Sequence, residues 1–256
     1  MTAEITIARS GAAQVIRFNR PEKKNALRSE MYAAMRTALI EGDADPAIAA
    51  HIFIGCEGIF TAGSDISEFA SRADGNTALS DHVQAFIRHL PHVDKPMIAA
   101  VDGLAVGIGT TLLFHCDLAY ATPAATFRTP FLDLGLVPEA GSSLIAPRLM
   151  GHARAFEMLV MGGVFDAERA LGAGLINGVV DAGELEATAL AAAAKLAAKP
   201  PEALAAARKL LRGDPGEVAA QIDTEIDIFA ERLSSPEARE AFAAFFEKRA
   251  PNFKRG

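Results

Sequence analysis

Near the start of the chain apolar and polar residues alternate, first in Glu4-Ile5-Thr6-Ile7 and again in Ala13-Gln14-Val15-Ile16-Arg17-Phe18. A period of two over a short run predicts strands, and Ser10-Gly11 between them predicts a hairpin. Met31, Met35 and Leu39 then recur at helical spacing behind Ser29, which reads as the N-cap, with Gly42 as the terminator. His51 to Cys56, Met97 to Val101 and Asp117 to Ala121 are apolar runs of strand length. Between the first two, Val83, Phe86, Ile87 and Leu90 mark a helix that stops before Pro91. Strands alternating with helices predict an α/β fold with largely parallel pairing.

After about Gly178 strand signals fade and Ala, Leu, Glu and Lys dominate. Four helices are predicted there, from Glu184 to Lys199, Glu202 to Leu211, Glu217 to Leu233 and Pro236 to Lys248. The apolar face Ile222, Ile226, Phe229 requires a partner, either the core or another subunit.

Composition narrows the function classes. The 256 residues are 50% hydrophobic, enough for one large domain or a domain with an appendage. A formal net charge of -7 argues against a nucleic-acid surface, so an anionic substrate needs a local basic patch. Residues 241–256 supply one, with Lys248, Arg249, Lys254 and Arg255 against the single acid Glu247. Cys56 and Cys116 sit in apolar stretches without metal or disulfide spacing, which fits a reducing compartment. No apolar run reaches membrane-spanning length and the first residues lack a leader pattern, so a cytoplasmic location without membrane contact is expected.

Three segments carry candidate chemistry. Phe60-Thr61-Ala62-Gly63-Ser64-Asp65-Ile66 follows a strand, and its glycine permits a turn that presents backbone N–H groups to an anion; an ordinary strand-to-helix loop has the same composition. Val101 to Thr111 places Gly107 and Gly109 on either side of Ile108, which suits close approach of a ligand or close packing of helix on strand. Neither a dinucleotide fingerprint nor a P-loop fits, because Leu112 stands where the former needs glycine and the latter needs GK[ST]. The third segment, Leu136 to Ser143, holds Glu139. Two loops of fixed N–H donors and one carboxylate are what enolate chemistry requires, since a thioester oxygen gains negative charge when the adjacent carbon loses a proton. Pro138-Glu139 also suits a helix first turn, where the carboxylate would only favour the helix dipole.

These segments, together with Arg20-Pro21, Asn25-Ala26-Leu27, Cys116-Asp117, Tyr120-Ala121, Ala125 to Ser143 and Phe245 to Phe253, resemble the crotonase superfamily over nearly the whole chain. The resemblance implies a spiral of ββα units over residues 1–195 and a helical trimerisation region over 196–256, assembled as a homotrimer or a dimer of trimers. It implies that Ser64 and Ile108 supply the oxyanion N–H groups, with Ile108 narrowing the pocket where the family often has glycine. Its hydratases carry two glutamates, and the matching positions here are Thr111 and Phe131, neither of which can act as a general acid or base near neutral pH. The run Ala125 to Phe131, then Leu134-Gly135, Pro138-Glu139 and Ser142-Ser143, looks like the peroxisomal-type Δ3,Δ2-enoyl-CoA isomerases, which makes Glu139 the base.

The resemblance further implies acyl-CoA as the substrate, in fatty-acid β-oxidation, with coenzyme A part of that substrate and no separate cofactor or metal. Ala26, Ala62, Asp65 and Ile66 are expected around the CoA portion, and Lys24, Lys248 or Lys254 near its 3′-phosphate; solvated surface charge explains these lysines equally well. Thr111, Phe131 and Leu136 are expected to line the acyl site, with Leu136, Phe131 and Ile108 keeping water from the enolate. Apolar surroundings would raise the pKa of Glu139 and a helix start would lower it, so no direction is predicted. A hydratase or other acyl-CoA lyase, and a non-catalytic acyl-CoA-binding protein, are the rival readings. His89 and His92 lack the pattern of a zinc helix and are expected to be exposed, His115 is expected to be structural, and Ser142-Ser143 lacks a nucleophile elbow.

Overall fold

The opening alternation forms the expected hairpin: Ile5–Ser10 (β1) and Ala13–Phe18 (β2) pair antiparallel, Ser10 facing Ala13 across the turn at Gly11. It belongs to a computed structural model that describes residues 3–56, 58–68 and 80–253. Beyond the hairpin the chain repeats one manoeuvre. Ala50–Ile54 (β3), Met97–Val101 (β5) and Leu118–Ala121 (β7) join a six-stranded sheet in the order β1-β2-β3-β5-β7-β10, where β10 is Gly178–Val179. Each is followed by a short strand of a second sheet: Ile59–Thr61 (β4), Leu104–Val106 (β6) and Thr126–Arg128 (β8). That sheet has the order β4-β6-β8-β9, with β9 at Phe165–Asp166. Pairing is parallel throughout except in β1–β2 and β8–β9. Successive strand pairs thus advance in step through two sheets, as the ββα spiral requires.

Both faces of the large sheet are buried, which is why its central strands read as unbroken apolar runs. On one face Ala50, Ile52, Ile54, Ile98 and Ala100 pack against Leu185, Ala189, Ala192 and Ala193 of helix α7 (Leu185–Ala197). On the other, Phe53, Met97, Ala99 and Val101 belong to the main core. That core includes Met31, Met35 and Leu39 of α1 (Ser29–Ala44) and Val83, Phe86 and Ile87 of α2 (Asp81–His89).

Helix α1 departs from its predicted ends. Arg28, not Ser29, precedes it, and the Ser29 N–H is taken by the Glu68 carboxylate at 3.1 Å. Gly42 lies within the helix and does not end it; a Cβ there would come within 2.5 Å of Gln14 and 2.7 Å of His51, so the glycine serves close packing. His89 is half-buried with Nε2 enclosed, contrary to the expected exposure, because the core-facing side of α2 carries its ring inward; His92 is exposed.

The remaining helices are α3 (Ile108–Thr111), α4 (Ser142–Met150), α5 (His152–Leu159) and α6 (Ala167–Gly172), then α8 (Pro201–Arg212), α9 (Pro215–Leu233) and α10 (Pro236–Glu247). Helix α8 buries no residue. Helix α9 instead places Ile222, Ile226 and Phe229 in the main core, so the partner its apolar face required is this chain's own interior. Among the described residues no helix is long and apolar enough to cross a membrane.

Candidate active site

The two glycine-bearing loops meet because neither carries a side chain at the contact. Gly63 has φ +85°, and a Cβ on it would stand 2.6 Å from the Val106 carbonyl oxygen. The chain enters α3 through Gly107 at φ 56°, whose N–H is taken by Arg128 O at 2.9 Å. The Gly107 carbonyl then accepts from the Thr110 and Thr111 N–H groups at 2.8 and 3.0 Å, which leaves the Ile108 N–H at the helix start. On the first loop, Leu27 N–H donates to Gly63 O and Asp65 N–H to Leu27 O, a parallel bridge that skips the N–H of Ser64. Among the described residues no acceptor is paired with the Ser64 or Ile108 N–H.

Both loops border one partly open cavity. Its lining includes Ala62, Ser64, Ile66, Ile108, Phe131, Leu136 and Glu139 of the residues singled out above. Thr111 is not among them. It is fully buried behind Glu139, and its hydroxyl donates to Glu139 Oε1 at 2.5 Å. Asp65 turns away to the Arg20 guanidinium at 2.8 Å, which also donates to the Ala26 carbonyl at 2.9 Å, so one buried arginine ties the two backbone segments together. Lys24 and Lys248 are exposed at left-handed helix ends outside the lining, and Lys254 lies outside the described residues.

Glu139 is not in a helix first turn. It precedes two consecutive left-handed residues, Ala140 at φ 59° and Gly141 at φ 71°, and α4 starts only at Ser142. A β-carbon in that region costs on the order of 1 kcal/mol, so Ala140 must be held. Two groups hold the turn. His115 Nε2 lies 2.6 Å from the Ala140 carbonyl, and the Glu225 carboxylate accepts the Gly141 N–H at 2.6 Å. His115 is fully buried, and burial pushes its pKa down to about 4, so it is a neutral donor. The carboxyl of Glu139 is 7% exposed. Burial raises its pKa to about 8, the Thr111 hydroxyl opposes the shift, and the charge of Glu225 adds to it. Beside the cavity, the Tyr32 phenol meets the Ser64 hydroxyl at 2.6 Å, and burial holds its proton well above the usual range.

Sequence reasoning overlooked Val83, Ile87, Leu134 and Phe229, which complete the apolar wall, and Glu225 behind the turn. A signal for Glu225 did exist: it sits between Ile222, Ile226 and Phe229 at helical spacing, a carboxylate on a buried face.

Comparison with known proteins agrees with this geometry. The profile of the enoyl-CoA hydratase/isomerase family matches residues 8–256. The chain is 32% identical to the 2,3-dehydroadipyl-CoA hydratase of Escherichia coli K12, over 98% of this chain and 99% of that one. It is 33% identical to the enoyl-CoA delta isomerase 2 of Rattus norvegicus, over 86% of this chain and 57% of that protein. The crystal structure of an enoyl-CoA hydratase/isomerase from Pseudoalteromonas atlantica superposes with a TM-score of 0.92 at 39% identity, covering 98% of this chain and 100% of that one. With loops, carboxylate and fold in agreement, the chain belongs to the enoyl-CoA hydratase/isomerase family.

Proposed function

We propose that the protein is a Δ3,Δ2-enoyl-CoA isomerase in which Glu139 is the sole base. The observation that carries this reading is the cavity wall: among the described lining residues Glu139 is the one ionisable group, faced by apolar side chains and by the two loops whose Ser64 and Ile108 N–H groups are unpaired. The carboxylate takes a proton from C2 of a 3-enoyl thioester, and the C–H electron pair forms a C1–C2 double bond while the carbonyl pair moves onto oxygen. Ser64 and Ile108 N–H stabilise that oxygen, each by about 3 kcal/mol. The same carboxyl returns the proton at C4, where the C3–C4 double-bond pair forms the new C–H bond, the C1–C2 pair shifts to C2–C3, and the oxygen pair re-forms the carbonyl. A raised pKa suits a group that must both take and give the proton.

Ala26, Ala62, Asp65 and Ile66 are the proposed surroundings of the CoA portion, with Lys24 or Lys248 toward the 3′-phosphate. Assembly as a homotrimer or paired trimers belongs to the same reading; it is supported by α8, which exposes Leu210 and Leu211 at 84% and 89%. The rival hydratase reading is favoured by the names of relatives, but Thr111 and Phe131 occupy the positions of the two hydratase glutamates.

Purified protein given a 3-enoyl-CoA should produce the conjugated 2-enoyl-CoA and, given the 2-enoyl-CoA in water, should add water far more slowly. Hydration outpacing isomerisation would sink the proposal. Because the base must be ionised and its pKa is raised to about 8, kcat/KM for isomerisation should climb about tenfold per pH unit below 8 and level above it. A profile already flat at pH 6 would show an ordinary carboxylate.

The wall also selects the acyl group. Val83, Ile87, Phe131, Leu134, Leu136 and Phe229 offer no partner to a charge. A 3-enoyl-CoA ending in a carboxylate should therefore show kcat/KM at least ~100-fold below its methyl-terminated counterpart, since the charge would be buried unpaired. Equal turnover of the two would place the acyl end outside this wall.

A further inference from the structure

The turn that carries Glu139 is gripped by a second buried carboxylate from a distant part of the chain. Glu225, on α9, is 4% exposed. Its Oε2 accepts the Gly141 N–H at 2.6 Å; its Oε1 accepts the Ser143 N–H at 3.0 Å and the Ser143 hydroxyl, which in turn accepts Gln221 Nε2–H at 2.9 Å. These backbone donors are the free N–H groups at the start of α4. Left unoccupied, they would form an anion site beside Glu139 and favour its ionised form.

We propose that Glu225 is a positioning residue for Glu139: it fixes the strained turn by its Gly141 N–H bond and, by occupying the α4 N-terminus, denies those donors to the base. The inference deepens the isomerase reading and rests on Glu139 being its base. Two carboxylates share one buried region and are driven apart in role. Burial raises the pKa of both carboxyls, but the three donors to Glu225 favour its ionised form, whereas Glu139 accepts only the Thr111 hydroxyl and holds its proton longer. The charged and titratable groups around the pair are few. Thr111 from α3 and the neutral Tyr32 phenol from α1 face Glu139; Ser143 from α4 and Gln221 from α9 face Glu225; neutral His115 lies across the turn. Among the described residues neither carboxylate has a cation within ion-pairing distance, so the hydrogen-bond donors are what separate them.

The test reads Glu139 directly, by isotope-edited infrared titration of the carboxyl band that disappears in Glu139→Gln. Glu225→Gln removes the like charge and one acceptor oxygen, and should weaken proton binding by Glu139 about tenfold, with the rising limb of kcat/KM moving to lower pH by the same amount. Ile226→Ala, a packing loss on the same buried helix face, should leave the titration in place. The proposal is overturned if Glu225→Gln leaves Glu139 titrating as in the native protein, or if Ile226→Ala moves it equally. Should Glu225→Gln fail to fold, the native protein decides: at pH 7 one buried carboxyl must be protonated and the other ionised, and two in the same state overturn the proposal. The infrared shift requires no turnover, so an inactive native protein with the shift intact would remove the isomerase reading and keep the pairing of Glu225 with Glu139.

Discussion

Glu139→Gln should abolish isomerisation, with kcat lower by at least ~10³-fold, while the protein becomes more stable at high pH. Both effects follow from one buried carboxyl. Glutamine keeps the shape and can still accept from Thr111, but it cannot take the C2 proton, and no second carboxylate lines the described wall. Proton transfer by a positioned side chain typically contributes 10²–10⁴-fold, and here the same group performs it twice. The stability change has a definite sign. The folded state holds the Glu139 proton up to about 8, whereas an exposed glutamate loses it near 4.5. The native protein therefore has this group's full contribution below pH 4.5 and loses it as pH rises through 8. At pH 9 the glutamine variant should be more stable by several kcal/mol, on the order of 5, in urea unfolding, and at pH 5 the two should nearly coincide. Retained turnover, or equal stability at both pH values, would remove Glu139 from the role of buried base.

Ile108→Pro should lower kcat by about 10²–10³-fold with little loss of melting temperature. The substitution deletes one N–H and trims one buried side chain. Ile108 is the first residue of α3, the helical position where proline is tolerated because its N–H has no intrahelical acceptor. In this protein that N–H is also unused by the rest of the described chain, so its removal leaves no broken bond inside the fold. Ile108→Val, which keeps the N–H and trims the cavity wall, should stay within about tenfold of native kcat. If the proline variant did as well as the valine one, the oxyanion would have to be held elsewhere.

The legible parts of the molecule were those whose chemistry is local. Alternation in residues 4–18 marks a hairpin at the sheet edge, where β1 is largely exposed and β2 is buried against it, and Met97–Val101 reads as a strand because both its faces are buried. The loops at Gly63 and Gly107 were visible because glycine suits the positive φ both adopt and, at Gly63, the close approach to the Val106 carbonyl. Gly42 misled for the same reason in reverse: a glycine used for packing against Gln14 and His51 looks in sequence like a helix end. The direction of the Glu139 shift was not legible. It depends first on how deeply the tertiary fold buries the carboxyl, and the second carboxylate that adds to the shift, Glu225, lies 84 residues beyond Gly141 in the chain. Thr111 read as a missing carboxylate and a lining residue of the acyl site, whereas its hydroxyl buttresses Glu139 from behind. Phe229 appeared as a helix face in search of a surface, and the surface is the substrate cavity.

The grip of α9 on the Glu139 turn also bears on when activity arises as the chain folds. The β-strands of the spiral and both glycine loops are complete by residue 179, and can pair before the last helices exist. The left-handed Ala140, however, has its Gly141 anchor only after a contact 84 residues away has closed, one of the costlier loop closures in the molecule. The seating of the proposed base therefore waits on the docking of α9, one of the last elements in the chain to be made.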